Sequence, residues 1–573
     1  MDHDDSAHQD VESTGDLIRR AIRWCSGDPD PATRAELDAI ITATQAGDDA
    51  ALADLAGRFT GPLTFGTAGL RGEVGAGESR MNVAVVTRAT AGVARYVLDT
   101  VGPGARVVVG CDARRGSAEF FAATTGVLAA AGLEVFALPA QLPTPLVAYA
   151  VRALDCAAGI MVTASHNPPA DNGYKVYLGG PTLDPHARGV QIVPPADTAI
   201  ADRIAAAPPA IEIRREVAPD TTPEASRIVD DYVDRTAALR TRSGPAAVRV
   251  VLTALHGVGG QVARQVLVRA GIDDVHVVAE QIDPDPGFPT VAFPNPEEPG
   301  VLDASISLAR KVSADVVIAL DPDADRCAVA IPGRDGGWRR LTGDELGALL
   351  GEQAAADHDR PGDTLACSIV SSRLLAHVAA AHGLRHRFTL TGFKWIARTP
   401  DLRFGYEEAI GYCTDPAAVA DKDGISTMVR VVTLVEAART AGRCLDDLLD
   451  DLARRHGLHA TAPLSFRVSD PATIGTAMTR LRARGVSALA GSPVVEFRDL
   501  ATGSADLPPT DGLLIRTADD ARVIVRPSGT EPKLKCYLEV VLSCADDGRV
   551  PREAAAHRLR MLADDMTAVL GLT

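Results

Sequence analysis

Apolar runs and polar breaks follow one plan that recurs three times along this chain. Val107-Val108-Val109 after Arg106 predicts a buried strand, closed by Gly110. A helix follows from about Ser117, with Phe120, Thr124, Val127 and Leu128 on one face, and Gly132 ends it before a strand at Val135-Phe136. The same order returns as Val248–Leu252, a helix near Val262–Ala270, Gly271, and Val275–Val278. It returns again as Leu365–Val370, a helix capped by Ser371 or Ser372 with Leu374, Leu375 and Val378 inside, Gly383, and a strand near Phe388-Thr389-Leu390. Strands alternating with helices imply βαβ units and largely parallel sheets.

The ends of the chain read differently. Leu17 to Ala46 carries apolar residues at helical spacing, broken near Asp28-Pro31, and predicts a small helical extension; residues 1–15 read as disordered. The tail from about 466 has helix, paired strands and a last helix over Arg552–Val569, as in an antiparallel α+β domain. The expected division is 1–59 (helical extension), 60–240, 241–345 and 346–465 (three similar mixed α/β domains) and 466–573 (α+β). Linkers are expected near Thr241–Gly244 and 457–465, and the Pro-rich stretch 281–300 reads as a loop within a domain.

Composition narrows the function. The 573 residues are 46% hydrophobic and 23% charged, which suits a soluble protein with large cores. A net charge of −17 argues against nucleic-acid binding and requires that any anionic substrate meet a local cluster of cations. The nine cysteines include no Cys-x-x-Cys, so neither a zinc site nor a disulfide framework is indicated, and a cytoplasmic location fits. No signal-peptide core and no membrane-spanning run is present. Oligomeric state is not legible.

Three loops then carry chemistry. The apolar run Ala157–Val162 is followed at once by Thr163-Ala164-Ser165-His166-Asn167-Pro168, which presents a serine and an imidazole at the end of a core strand. Alone this fits a capped polar turn, or invites a Ser-His hydrolase reading. Asp171-Asn172-Gly173-Tyr174-Lys175 adds a glycine turn and a lysine on a strand-like segment. A second buried run, Val316–Leu320, ends in Asp321-Pro322-Asp323-Ala324-Asp325-Arg326. Carboxylates at i, i+2 and i+4 converge in extended chain and repel without a cation; oxygen ligands suit a hard metal such as Mg²⁺. An EF-hand fails here, because Arg326 and Pro332 stand where Gly and Glu are needed. An aspartate-nucleophile phosphatase is a chemically close rival. Third, Arg526-Pro527-Ser528-Gly529-Thr530 ends a strand with a guanidinium, two hydroxyls and a glycine, an anion cradle. His256-Gly257-Val258-Gly259-Gly260-Gln261-Val262 approaches a dinucleotide fingerprint, but Val262 occupies the third glycine position.

Together these motifs resemble the α-D-phosphohexomutase superfamily, the phosphoglucomutases and phosphomannomutases. The resemblance runs from about 60 to the end of the chain. Phe65-Gly66-Thr67-Ala68-Gly69-Leu70-Arg71-Gly72, Thr391-Gly392-Phe393-Lys394, Gly405-Tyr406-Glu407-Glu408-Ala409-Ile410-Gly411 and Asp421-Lys422-Asp423-Gly424 extend it. It implies a four-domain enzyme with its active site in a central cleft. It implies a phosphoryl carrier at Ser165, an acid/base at Lys175, an orienting or hydrogen-bonding role for His166, and a cation at Arg71 that faces and neutralises the phosphoserine. It implies a metal between Asp321, Asp323, Asp325 and the phosphate on Ser165. Substrate contacts follow at Arg326, Gly392, Lys394, Glu407 and Lys422, and a phosphate clamp at Arg526, Ser528, Gly529 and Thr530 with Lys535 beside it. The implied reaction interconverts sugar 1- and 6-phosphates of mannose or glucose, with Mg²⁺ and a sugar bisphosphate activator. The alternatives are a phosphopentomutase, or a non-catalytic sugar-phosphate sensor. Two departures stand out: Pro322 replaces a glycine, and Ala409 replaces a serine that would grip a sugar hydroxyl. As a proton shuttle, Lys175 is expected to have a depressed pKa.

Overall fold

The computed structural model describes residues 13–572, apart from 182, 218–219, 243, 245, 358–359, 361, 469, 471, 505–506 and 529–532. The expected disorder of residues 1–15 falls almost wholly outside them. Four sheets succeed one another along the chain. The first contains β1 (Leu70–Glu73), β2 (Arg106–Cys111), β3 (Glu134–Ala137), β4 (Ala158–Val162), β5 (Asp171–Leu178) and β6 (Val190–Gln191), in the order β1-β5-β4-β2-β3 with β6 on β5. β2 is parallel to β3 and β4, whereas β5 is antiparallel to both β1 and β4. The second contains β7 (Val250–Thr253), β8 (Val275–Val277), β9 (Val316–Leu320), β10 (Cys327–Pro332) and β11 (Trp338–Arg340), ordered β11-β10-β9-β7-β8. The third contains β12 (Thr364–Ser368), β13 (Arg385–Thr389), β14 (Leu402–Glu407) and β15 (Gly411–Cys413), ordered β13-β12-β14-β15.

These three sheets share a mixed design: a parallel core and an antiparallel edge. Strands β4, β7, β9 and β12 are buried along their whole length, as mainly apolar runs covered on both faces must be. One core runs without interruption from one face of the first sheet through the second and third. The fourth sheet is antiparallel throughout, β16 (Leu458–Arg467), β17 (Ala488–Leu489), β18 (Ser492–Asp499), β19 (Leu513–Thr517), β20 (Arg522–Pro527) and β21 (Lys533–Leu542), in the order β16-β21-β20-β19-β18-β17. The helix Arg552–Leu570 covers it. The stretch 457–465, expected as a linker, is therefore mostly strand. Its partner β21 lies some seventy residues downstream, where local sequence gives no sign of it.

The N-terminal extension is three helices, Thr14–Gly27, Pro31–Gln45 and Asp49–Arg58. Ser13, Asp30 and Asp48 cap them by accepting backbone N–H groups, and Leu17, Ala21, Leu37, Ile41 and Leu55 form their small core. Buried charge fastens the fourth sheet to the third. Glu539 accepts from Ser372 and Arg373, and Arg522 donates to the Ile369 and Ser371 carbonyls at 3.1 and 2.6 Å. All nine cysteines are free; Cys111, Cys327, Cys367 and Cys536 each lie buried in a different sheet, and Cys444 is exposed. No helix among the described residues is long and apolar enough to cross a membrane.

Candidate active site

Strand β4 delivers Thr163–Pro168 at its carboxyl end. Ser165 sits there with φ of 53°, in the left-handed region that a non-glycine residue seldom adopts. The turn is held because the Ser165 N–H donates to Thr163 Oγ1 at 2.9 Å. Arg114 holds it from the other side: Nη2 donates to the Ser165 and Asn167 carbonyls at 2.7 and 2.6 Å, and Nη1 to the Pro168 and Asp171 carbonyls at 2.7 and 3.0 Å. The sequence reading missed Arg114. Its only local signal is its place in Asp112-Ala113-Arg114 just past the end of β2, where strands of a parallel sheet present functional groups. Lysine cannot reproduce a planar fork that serves four carbonyls. Arg114→Lys is expected to lose about 2–4 kcal/mol of stability, since buried carbonyls are left without donors. Chemical denaturation measures this, and kcat should fall with it.

Strand β9 delivers the three aspartates, all fully buried. One oxygen from each lies within 4.8 Å of the others. Asp321 Oδ2 accepts from Ser165 Oγ at 3.0 Å and Oδ1 from the Arg326 N–H at 2.9 Å. Asp323 Oδ2 accepts from Thr144 Oγ1 at 2.6 Å and from Lys175 Nζ at 2.8 Å. Asp325 Oδ2 takes Lys175 Nζ at 2.9 Å and Lys422 Nζ at 3.0 Å. That leaves Asp323 Oδ1 and Asp325 Oδ1 buried with no hydrogen-bond partner among the described residues. Buried carboxylate oxygens are rarely left so, and two of them in a three-aspartate cluster fit a hard divalent cation. Burial pushes the Asp321 pKa well up, with Asp323 and Asp325 adding repulsion. Burial also opposes the charge of Asp323, but Lys175 outweighs it and holds that carboxyl below the usual range.

Glycines let neighbouring loops close on this cluster. A Cβ on Gly424 would stand 2.4 Å from the Arg326 carbonyl oxygen, and one on Gly257 would stand 2.3 Å from Pro322 Cα. The glycine-rich stretch that approached a dinucleotide fingerprint thus packs against the aspartate loop, and the Val258 N–H donates to the Pro322 carbonyl at 2.8 Å.

The expected pKa of Lys175 is corrected. Burial does disfavour its ammonium, but Asp323 and Asp325 outweigh burial and raise the pKa above its ordinary value. Lys175 is therefore charged in this arrangement. Burial, with repulsion from Arg326 and Arg71, lowers the His166 pKa well below its ordinary value, so the imidazole is neutral; Nδ1 lies 3.4 Å from Ser165 Oγ. Arg71 lies on β1 and its Nη1 donates to Asn167 Oδ1 at 2.9 Å, which bonds it to the serine loop.

The third sheet faces the cluster through Lys422 and Glu407. Lys422 also stands 5.8 Å over the Phe393 ring. Glu407 ends β14, and its charge favours those of Arg326 and Lys422. Arg326 Nη1 donates to the Ala409 carbonyl at 3.0 Å, so this position contributes its backbone where a serine hydroxyl would have stood. Gly392 precedes the short helix Phe393–Ile396, from which Lys394 donates to Thr67 Oγ1 in the Arg71 loop. From the fourth sheet, Arg526 and Lys535 are cross-strand partners on β20 and β21. The charge of Arg526 is felt at Lys394 and that of Lys535 at Glu297. Arg526 Nε is buried without a partner among the described residues, and the Ser528 N–H donates to the Lys533 carbonyl at 2.8 Å. Gly529 and Thr530 lie outside the described residues. Glu297, from the Pro-rich loop, also faces Arg326 and Glu407, and the sequence reading missed it.

Next to Glu407, Glu408 turns away to accept from Ser368 and Ser371 at 2.9 and 3.2 Å. Burial, then the charges of Glu407 and Asp344, raise its pKa from 4.5 to about 7. The folded protein therefore holds this proton where the unfolded chain has lost it, and stability falls as pH rises from about 4.5 to about 7. Full burial would make the fall about 3 kcal/mol; for a half-buried side chain about 2 kcal/mol is expected. Glu408→Gln should flatten that part of the stability-versus-pH curve, which urea titrations at several pH values measure.

Four family models match the chain in order. They describe phosphoglucomutase/phosphomannomutase alpha/beta/alpha domains I, II and III, at residues 62–208, 230–334 and 342–456, and the C-terminal domain, at 466–557. A probable phosphomannomutase of Haemophilus influenzae is 42% identical over 478 residues, 83% of this chain and 94% of that protein. A phosphopentomutase of Mus musculus is 35% identical, over 93% of this chain and 91% of its own. A crystal structure of a phosphoglucomutase/phosphomannomutase family protein from Burkholderia thailandensis shares the fold, with a TM-score of 0.66 at 21% identity, covering 89% of this chain and 98% of that one.

Proposed function

Since the chain belongs to the phosphoglucomutase/phosphomannomutase family of the α-D-phosphohexomutase superfamily, and is a phosphotransferase isomerase of that family, we propose that it interconverts the 1- and 6-phosphates of a hexose, glucose or mannose, through phospho-Ser165 and a sugar bisphosphate. The observation that carries this reading is Ser165 Oγ at 3.0 Å from Asp321 within a buried three-aspartate cluster. Phospho-Ser165 gives its phosphoryl group to the free hydroxyl of the substrate. The bisphosphate then reorients, and its other phosphoryl group returns to Ser165.

Mg²⁺ held by Asp321, Asp323 and Asp325 would neutralise charge on the phosphoryl oxygens. Arg71 steadies the serine loop through Asn167. Lys175, held charged, is the acid that protonates Ser165 Oγ as the phosphoryl group leaves, and it regains its proton from the hydroxyl that takes up the phosphoryl group. Neutral His166 donates or accepts a hydrogen bond at the same oxygen and adds no charge. Glu407 and Lys422 hold sugar hydroxyls. Arg526, Ser528, Gly529 and Thr530, with Lys394 and Lys535 near, hold the phosphate that is not reacting, so one clamp serves both orientations. Positioning and fixed charge supply the catalysis, as phosphoryl transfer requires.

A pentose phosphate is the second reading. Ala409 removes one hydroxyl-gripping side chain, and the mouse phosphopentomutase aligns with 93% of this chain. The test is kcat/KM for glucose, mannose and ribose 1-phosphates, with Mg²⁺ and the matching bisphosphate. A hexose should lead; a ribose preference of a hundredfold or more would move the assignment to the second reading, and no turnover of any would overturn both.

A further inference from the structure

A cavity of about 280 Å³ lies between the N-terminal helices and the first α/β unit, and none of the residues lining it belongs to the machinery above. Its walls include Arg20, Arg23 and Trp24 from the helix Thr14–Gly27, and Arg88 from the helix Val83–Thr100, with Glu78 and Pro209 at its sides. Arg20 is paired with Glu78 at 3.9 Å. Arg23 and Arg88 have no carboxylate within ion-pair reach among the described residues. In a chain of net charge −17, a cavity with two guanidinium groups outside any ion pair is a local reversal of sign.

Two further donors there are incomplete. Arg88 Nη2 is fixed by the Ile204 and Ala207 carbonyls at 3.4 and 3.2 Å, while Arg88 Nε is buried without a partner among the described residues. Trp24 Nε1 is likewise buried and without a partner. Both atoms are closed off behind the cavity wall, which leaves a ligand the outer nitrogens of Arg23 and Arg88 and the face of the indole. The rest of the lining is apolar: the Trp24 indole, Pro209 and the alanines at 84, 207 and 210. Such a wall suits a flat ring, and indole and guanidinium planes both stack on heterocycles. The volume, near the lower bound for ligand pockets of about 300 Å³, admits one small ligand and excludes a dinucleotide.

We propose that this cavity is a second ligand site, separate from the catalytic cleft, for a phosphate ester that carries a flat heterocycle, the chemistry of a nucleoside monophosphate. Its phosphate sits between Arg23 and Arg88, and its ring lies against Trp24 and Pro209.

The test is isothermal titration of the full chain with adenosine monophosphate, with adenosine and inorganic phosphate as controls. Binding is expected, at least tenfold weaker in Arg23→Gln, in Arg88→Gln and in Trp24→Leu, unchanged in Arg526→Ala, and weaker for either control. Arg23 is exposed, so Arg23→Gln reports on the site even where Arg88→Gln fails to fold. No binding at millimolar nucleotide overturns the proposal. So does binding that survives Arg23→Gln but is lost in Arg526→Ala, which would put the ligand in the catalytic cleft. Inorganic phosphate binding as well as the nucleotide would overturn the assigned ligand class. None of these outcomes depends on which sugar the enzyme turns over.

Discussion

Ser165→Ala is expected to lower kcat by at least about 10⁴-fold and to leave the protein unable to take up a phosphoryl group from a sugar bisphosphate. The substitution removes one oxygen and little else. Ser165 is almost fully buried, its backbone turn is fixed by Thr163 and by Arg114, and neither of those hydrogen bonds uses its Oγ. What the Oγ itself touches is Asp321 at 3.0 Å and His166 at 3.4 Å. Thermal unfolding should therefore move by no more than a few degrees, about what 1 kcal/mol produces. A large kinetic loss with a small stability change separates a phosphoryl carrier from a capping serine. Intact mass after incubation with the bisphosphate gives the second readout. A phosphoryl group found on an aspartate of the 321–325 loop, or activity above a hundredth of the original, would return the chemistry to the aspartate-nucleophile alternative.

Asp325→Asn should cost about 10³-fold in kcat/KM, and the divalent cation needed for half-maximal rate should rise. Asp325 does two jobs with two oxygens: Oδ2 receives both Lys175 and Lys422, and Oδ1, without a hydrogen-bond partner among the described residues, joins the three-aspartate cluster 3.8 Å from Arg326 Nε. An amide keeps the shape and loses the charge. Two buried ammonium groups then share less counter-charge. Their pKa values, both held above the ordinary lysine value in part by Asp325, must fall. The alkaline limb of the rate profile should therefore move to lower pH in the variant. A profile that moves up, or a metal requirement that does not change, would show that Asp325 serves only as packing.

Much of this site was legible in the chain because its groups stand just past apolar runs. Ala157–Val162 before Ser165, and Val316–Leu320 before Asp321, announce buried strands whose carboxyl ends carry polar loops. What local sequence could not carry is pairing across distance. Strand β5 runs antiparallel between β1 and β4, and β16 finds β21 across some seventy residues. The charge of Lys175 illustrates the same limit in electrostatics: burial alone predicts a low pKa, and the carboxylates that reverse it lie 148 and 150 residues away. Arg114 escaped notice because it acts on carbonyl groups, which every residue possesses and no motif marks.

Four of the seven buried thiols, Cys111, Cys327, Cys367 and Cys536, one in each sheet, form a set of internal clocks. Burial raises the pKa of Cys111 to about 11 and that of Cys536 to about 12, which suppresses the reactive thiolate as well as access to it. An alkylating reagent in the native protein should mark exposed Cys444 at once and the sheet thiols only when their own sheet opens. Peptide-resolved alkylation rates would then rank the four units by the free energy of opening each, in the unmodified chain.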